Sequence, residues 1–90
     1  MQDVTIYSTA WCPWCDRAKR LLDRKGIGWR EVDVELEWND YDRARLEKIS
    51  GFKSVPQIFI GDQHVGGYDD LAKLENSGEL DDLLGLGEVG

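Results

Sequence analysis

The stretch VTIYSTAWCPWCDRAKRLLDRK, from Val4 to Lys25, decides the fold. Its β-prone start, Val4 to Tyr7, is followed by a loop with two cysteines. From Pro13 onward the apolar residues recur with helical spacing, and proline suits a first helical position because the N–H that it lacks would have no partner there. The stretch therefore predicts a strand, a loop and a helix to Lys25, with the cysteine pair at the start of the helix.

The position of the two cysteines predicts different roles for them. Cys12 lies where the first backbone N–H groups of the helix lack partners and the positive end of the helix dipole is found. Such a position favours the thiolate, so we expect Cys12 to be the nucleophile. Cys15 is one turn further on and shares an apolar helix face with Ala18, Leu21 and Leu22. We therefore expect Cys15 to face the core and to act as the resolving thiol.

The rest of the chain predicts an α/β fold. An alternating pattern predicts a strand at Trp29–Val34, and capping residues predict a helix from Asn39 or Asp40 to Ser50. Two runs, Gln57–Ile60 and Gln63–Val65, flank a Gly-Asp turn and predict a hairpin. One or two closing helices should cover Tyr68–Ser77 and Glu79–Leu84, with buried leucines at positions Leu71, Leu74, Leu80, Leu83 and Leu84. This order, βαβαββα, predicts a four-stranded mixed β-sheet with helices on both faces.

Composition restricts the class of protein. The chain has 90 residues, of which 18 are Asp or Glu and 11 are Lys or Arg, for a net charge of -7. We expect a single domain over residues 1–90, with a frayed tail from Gly85, and a monomer. The negative charge argues against binding to nucleic acid or to anionic lipid. No secretion signal opens the chain and no apolar stretch is longer than Ile58–Ile60, so we expect a cytoplasmic protein.

We predict that the cysteine pair takes part in a reaction rather than serving as a structural disulfide. A disulfide between residues three apart closes only a small ring and adds little stability. A zinc site would need two more ligands, and His64 is the only nitrogen donor of that kind, so we expect no metal. An inert pair of thiols is the remaining alternative to redox chemistry. We read His64 as a hairpin residue and assign no chemistry to Trp11, Trp29 or Trp38.

Three segments carry a resemblance to a known family. They are Cys12-Pro13-Trp14-Cys15, Ser54-Val55-Pro56-Gln57 and Gly66-Gly67-Tyr68-Asp69-Asp70. In this order and at these separations they resemble the signatures of the dithiol glutaredoxins. The resemblance implies a thioredoxin-like fold and a glutathione-dependent thiol–disulfide oxidoreductase, with glutathione as co-substrate and glutathionylated or disulfide-containing proteins as partners.

The resemblance also implies a glutathione site. The peptide bond before Pro56 would be cis, and the backbone of Val55 would pair with the cysteinyl unit of glutathione. Gly67 would lie at the start of a helix whose free backbone N–H groups hold the γ-glutamyl carboxylate of glutathione. An acidic residue after Tyr68, either Asp69 or Asp70, would hold the ammonium group, cap the helix, or do both. Trp14, where the family usually has tyrosine, would line the groove.

One position departs from the family pattern. Many members carry a lysine three residues before the first cysteine, where this chain has Thr9. That lysine binds the glycyl carboxylate of glutathione and lowers the thiol pKa. For glutathione binding of normal affinity the chain must take a cation from elsewhere, and we expect Lys53 first and Arg43 second. Weaker glutathione binding or a less acidic Cys12 is the alternative outcome.

Three activities stay open at this point. The leading one reduces glutathione mixed disulfides through Cys12, and protein disulfides through Cys12 and Cys15 together. A second takes electrons from a thioredoxin reductase and delivers them to a dedicated client such as ribonucleotide reductase. A third is a homodimer that holds a [2Fe–2S] cluster with two glutathiones. Pro13 argues against the third, because cluster-binding members usually have glycine or serine there.

Overall fold

The computed structural model describes residues 3–35, 40–48 and 55–85. The predicted order of elements is confirmed: β1 (Val4–Ser8), α1 (Pro13–Arg24), β2 (Arg30–Asp33), α2 (Asp40–Glu47), β3 (Gln57–Ile60), β4 (Gln63–Gly66), α3 (Tyr68–Ser77) and α4 (Glu79–Leu84). The strands form one sheet in the order β2-β1-β3-β4. β1 and β2 are parallel, whereas β1–β3 and β3–β4 are antiparallel, so the predicted mixed sheet is confirmed.

Alternation along the strands buries both faces of the sheet. On one face, residues of β1 and β3 pack against α1, α3 and α4, in a cluster that includes Ile6, Ile58, Leu22, Leu71 and Leu80. On the other face, Leu46 of α2 packs in a second cluster with Tyr7, Val32 and Phe59. The prediction of helices on both faces is therefore confirmed. This arrangement leaves the carboxyl end of β1, a central strand, and with it the start of α1, at one end of the sheet.

Some predicted boundaries are wrong, by one residue at the end of α1 and at each end of β2. Helix α1 ends at Arg24 because the N–H of Lys25 turns back to the carbonyl of Leu22 at 3.1 Å. Strand β2 is shorter than the predicted Trp29–Val34, although the N–H of Val34 still bonds the carbonyl of Ser8 at 2.9 Å. Helix α2 ends at Glu47, because Lys48 is in a turn, so the predicted continuation through Lys48 is wrong; the predicted residues Ile49, Ser50 and Gly51 lie outside the described part of the chain.

The closing segment forms two helices. Gly78, in the left-handed conformation with φ of 84°, separates α3 from α4. Leu71, Leu80 and Leu84 are fully buried as predicted. The same prediction is wrong for Leu74 and Leu83, which lie half-buried at the margin of the core because their helix positions face its edge. Of the tail predicted to fray from Gly85, only Gly85 is described, as the C-cap of α4, and residues 86–90 lie outside the described residues.

A buried hydrogen-bond network ties α2 to the sheet. The hydroxyl of Tyr7 donates to a carboxylate oxygen of Asp42 at 2.8 Å. Arg30 donates two hydrogen bonds to the same carboxylate, at 3.1 and 2.9 Å. Burial, together with the hydrogen bond to Asp42, raises the pKa of Tyr7. Because the Asp42 side chain is only 1% exposed, its charge is offset inside the protein rather than by water.

The helices that the structure describes are all short or polar. Among residues 3–35, 40–48 and 55–85, no helix has the length and apolar character that a membrane span requires.

Candidate active site

Cys12 and Cys15 lie at the start of α1, directly beyond the end of β1. Cys12 is the N-cap of the helix and has an extended backbone, with φ of -137° and ψ of 97°. Its Sγ accepts a hydrogen bond from the backbone N–H of Cys15 at 3.1 Å. The two residues are joined by a disulfide, with their Cα atoms 5.2 Å apart. The first sulfur therefore caps one of the N–H groups that a helix start leaves unpaired, as the sequence predicts.

The two cysteines differ in exposure. Cys12 keeps 9% of its surface exposed, whereas Cys15 keeps 1%. Cys15 lies on the apolar face of α1 with buried Ala18, Leu21 and Leu22, so the prediction that it faces the core is confirmed. An incoming thiol or disulfide can therefore approach Cys12 but not Cys15.

The Val55–Pro56 segment lies against the disulfide. The Sγ of Cys12 is 3.6 Å from the carbonyl oxygen of Val55, which is 43 positions away in the chain. The peptide bond between Val55 and Pro56 is cis, as the resemblance implies. Val55 is half-buried and Pro56 is buried. The structure thus brings two of the three signature segments into contact at the sulfur of Cys12.

The third signature segment lies next to Pro56. A Cβ atom built on Gly67 would be 3.7 Å from the carbonyl oxygen of Pro56. Gly67 is the N-cap of α3, and its N–H donates to the carboxylate of Asp70 at 3.2 Å. Of the two acidic residues proposed for the ammonium group, Asp70 therefore caps the helix. Asp69 is exposed at the same helix start.

Two aromatic rings and a guanidinium group form one wall of the site. The ring centroids of Trp14 and Tyr68 are 5.9 Å apart, and the guanidinium carbon of Arg17 lies 4.5 Å from the Trp14 centroid. Trp14 is 49% exposed, and Trp11 on the other side of Cys12 is 94% exposed. Arg17 was not among the site residues predicted from the sequence. The signal was its position three residues after Trp14, a spacing at which helical side chains meet.

Several predicted residues do not join this site in the described structure. Lys53 and the side chain of Arg43, the two expected cations, lie outside the described residues. His64 lies on β4, where its Nε2 is 2.7 Å from the amide oxygen of Gln57, as expected for a hairpin residue. Burial lowers the pKa of His64, and the nearby charge of Asp70 opposes this only in part.

No candidate metal centre accompanies the disulfide in the described part of the chain. Within residues 3–35, 40–48 and 55–85, no group of three or more His, Cys, Asp or Glu side chains could hold a metal ion.

Comparison with known proteins agrees with this geometry. The chain matches the family model for glutaredoxin over residues 4–65. It is 51% identical over 84 residues to a glutaredoxin of Pseudomonas aeruginosa, covering 93% of this chain and 98% of that one. It is 48% identical to the glutaredoxin of Brucella melitensis, whose solution structure matches with a TM-score of 0.77 and covers 100% of this chain and 96% of that one. The crystal structure of a buckwheat glutaredoxin–glutathione complex matches with a TM-score of 0.79 at 28% identity, over 99% of this chain and 83% of that one.

The fold and the paired cysteines define a thiol–disulfide oxidoreductase with a thioredoxin-like fold. Its disulfide lies at a helix start, against a cis-proline segment, where a second helix also begins. The chain belongs to the glutaredoxin family.

Proposed function

We propose that this protein reduces mixed disulfides between glutathione and other thiols, with Cys12 as the nucleophile. The observation that carries the proposal is the position of the Cys12 sulfur, 3.1 Å from the N–H of Cys15 and 3.6 Å from the carbonyl of Val55. The N–H favours a thiolate after the disulfide is reduced. The Val55 backbone offers hydrogen-bonding groups to an extended peptide beside that thiolate.

The reaction has two exchanges. The Cys12 thiolate attacks the glutathionyl sulfur, the bond between glutathione and the target breaks, and the target leaves as a thiolate that takes a proton from water. The thiolate of a second glutathione then attacks the glutathionyl sulfur on Cys12. Glutathione disulfide leaves and the Cys12 thiolate is restored. Over the two exchanges the sulfur of the second glutathione is oxidised and the sulfur of the target is reduced, while the glutathionyl sulfur of the substrate stays in a disulfide throughout.

Glutathione itself is bound by the groups around this sulfur. A relative of this chain was crystallised as a glutaredoxin–glutathione complex. In this chain the N–H of Gly67 donates to Asp70. The γ-glutamyl carboxylate of glutathione therefore accepts hydrogen bonds from the N–H groups of the next residues, in the first turn of α3. Trp14 and Tyr68 form the apolar wall beside them. Arg17 adds positive charge on that wall, and the roles of Lys53, Pro56 and Asp69 stay predictions.

The same site reduces protein disulfides when both cysteines take part. Cys12 forms a mixed disulfide with the target, and the Cys15 thiolate then attacks the Cys12 sulfur and releases the target as a thiol. The product is the Cys12–Cys15 disulfide, which two glutathiones reduce again. Because Cys15 is 1% exposed, a target reaches Cys12 first. The cycle depends on a reduced glutathione pool, so we propose a cytoplasmic location.

Two substitutions test the assignment. We expect Cys12→Ser to abolish turnover of a mixed disulfide of glutathione and β-mercaptoethanol, and Cys15→Ser to retain it. Reduction of a protein disulfide should need both cysteines. Turnover by the Cys12→Ser variant would contradict the role of Cys12. Circular dichroism of both variants verifies that they fold.

The electron source and the cluster alternative are tested separately. Glutathione should reduce the Cys12–Cys15 disulfide faster than a thioredoxin reductase does. The opposite order would favour a dedicated electron donor to a client such as ribonucleotide reductase. After anaerobic reconstitution with iron and sulfide in the presence of glutathione, we expect a colourless monomer. A coloured dimer would instead support the [2Fe–2S] alternative.

A further inference from the structure

A row of arginines continues the active-site wall along α1. Trp14, Arg17, Arg20 and Arg24 follow one another at intervals of three or four residues, so they lie on one side of the helix. All three arginines are exposed. We call Arg17, Arg20 and Arg24 the arginine row. From Arg17 to Arg24 the row extends for about 10 Å along the helix axis.

The arginine row is not neutralised by the acidic residues that surround it. Lys19 on the same helix pairs with Glu31 at 3.0 Å, and Lys25 at its end pairs with Glu75 at 2.7 Å. Within the residues that the structure describes, none of the three arginines of the row makes an ion pair. In a chain with a net charge of -7, this row is a local positive surface.

The arginine row also lines a groove that leads to the site. Its three side chains, with Tyr68 and one carboxylate, Asp23, surround a surface groove of about 410 Å³. Tyr68 contacts Trp14 and lies at the first position of α3. The groove is therefore continuous with the wall of the active site, and arginines outnumber carboxylates in its lining.

We propose that the arginine row binds protein clients that carry an acidic segment beside their reactive cysteine. This inference rests on the proposed function, since the client's cysteine must reach Cys12. A client with acidic residues is repelled by the protein as a whole and attracted at this groove, so the row orients it toward the disulfide. Arg20 and Arg24 lie about 10 and 16 Å along the helix axis from Pro13, so small mixed disulfides at Cys12 do not use them.

The test compares two glutathionylated peptides that differ only in the residues after the cysteine, a run of Glu in one and of Gln in the other. The variant Arg20→Gln/Arg24→Gln removes two exposed charges. The matched control, Lys48→Gln/Lys73→Gln, makes the same change in net charge at exposed positions outside the groove. We expect the arginine variant to lower kcat/KM roughly tenfold for the Glu peptide only, and the lysine control to change it less than twofold. High salt should remove the difference.

A binding measurement separates this inference from the proposed function. The Glu peptide with serine in place of cysteine should bind the oxidised protein, as measured by isothermal titration calorimetry, and the arginine variant should bind it about tenfold more weakly. If the mixed disulfide of glutathione and β-mercaptoethanol is not turned over, the proposed function fails. Binding of the serine-containing Glu peptide still tests the arginine row, because it needs no turnover. Equal binding of the Glu and Gln peptides, or equal losses for the arginine and lysine variants, would overturn the inference.

Discussion

The carboxylate of Asp70 accepts the N–H of Gly67 at 3.2 Å and occupies the space that a side chain on Gly66 would need. A Cβ atom on Gly66 would collide with a carboxylate oxygen of Asp70 and lie 3.0 Å from its Cγ. Gly66 also has φ of 118°, which side-chain-bearing residues rarely adopt. Two adjacent glycines therefore have different structural roles. Gly66 leaves space for the Asp70 carboxylate, and Gly67 donates its backbone N–H to that carboxylate.

Replacing each glycine by alanine should separate these roles. We expect Gly66→Ala to lower the free energy of unfolding by about 1–3 kcal/mol, because it combines a strained backbone with a displaced Asp70. Gly67→Ala should cost less than about 1 kcal/mol, because φ at Gly67 is -90° and the nearest atom is 3.7 Å away. Urea denaturation followed by circular dichroism measures both. Equal losses would contradict the assigned role of Gly66.

The Trp14–Tyr68 contact predicts how the central residue of the cysteine motif acts. We expect Trp14→Ala to lower kcat/KM for a glutathionyl substrate by about threefold to tenfold, because it removes the aromatic wall beside Cys12. Trp14→Tyr keeps a ring at the position and should stay within about twofold of the unmodified protein. Steady-state kinetics with the mixed disulfide of glutathione and β-mercaptoethanol tests this. An unchanged rate for the alanine variant would show that the wall does not contact substrate.

The Tyr7–Asp42 pair predicts a difference between two stability variants. Asp42→Ala leaves the buried hydroxyl of Tyr7 without its acceptor and removes the partner of Arg30, so we expect a loss of about 3 kcal/mol. Tyr7→Phe leaves both hydrogen bonds from Arg30 in place and should cost about 1 kcal/mol. Urea denaturation at neutral pH compares them. A larger loss for Tyr7→Phe would contradict the importance of the arginine pairing.

Lys25 predicts a dependence of stability on alkaline pH. Hydrogen bonds to Asp81 and then to Glu75 raise the pKa of Lys25 above its usual 10.5. The folded state therefore holds this proton more tightly than the unfolded chain, and the stabilisation is fully present below pH 10.5 and lost as pH rises through the folded value.

The variant Lys25→Met isolates this contribution. We expect it to be less stable than the unmodified protein by about 1 kcal/mol at pH 7, since it leaves two carboxylates facing each other. The difference should shrink as the pH rises above 10.5. Lys73→Met, at an exposed position of α3, corrects for general effects of lost charge. Urea denaturation across this pH range measures the stability difference between Lys25→Met and the unmodified protein. A difference that stayed constant above pH 10.5 would contradict the role of the Lys25 charge.

The elements could be predicted well where their signals are local. The strand before Cys12, the helix start at Pro13 and the Gly-Asp hairpin depend on nearest neighbours, and the structure confirms them. The ends of β2 and the burial of Leu74 and Leu83 were predicted wrongly. Strand length depends on how far a partner strand extends, and burial depends on which helix face meets the sheet. Neither strand length nor burial can be inferred from the residues that are adjacent in the sequence.

The candidate site was partly predictable for the same reason. The three signature segments could be recognised one by one, and the different exposures of Cys12 and Cys15 follow from helical spacing. The cation on the site wall could not be predicted by analogy with the family. Thr9 replaces the usual lysine. Helical spacing places Arg17 beside Trp14, but the contact of Trp14 with Tyr68, which makes this pair part of the wall, depends on the packing of α1 against α3.

By itself the sequence determined that one sulfur caps a helix, because the cap and the N–H that it accepts are three residues apart on one turn. Only the tertiary structure decided that the carbonyl of Val55 lies 3.6 Å from that sulfur, and that the arginine row on α1 has no carboxylate partner among the described residues. Backbone capping acts within one helical turn. Contacts between distant segments depend instead on how the sheet and the helices pack, which is settled by the whole core at once.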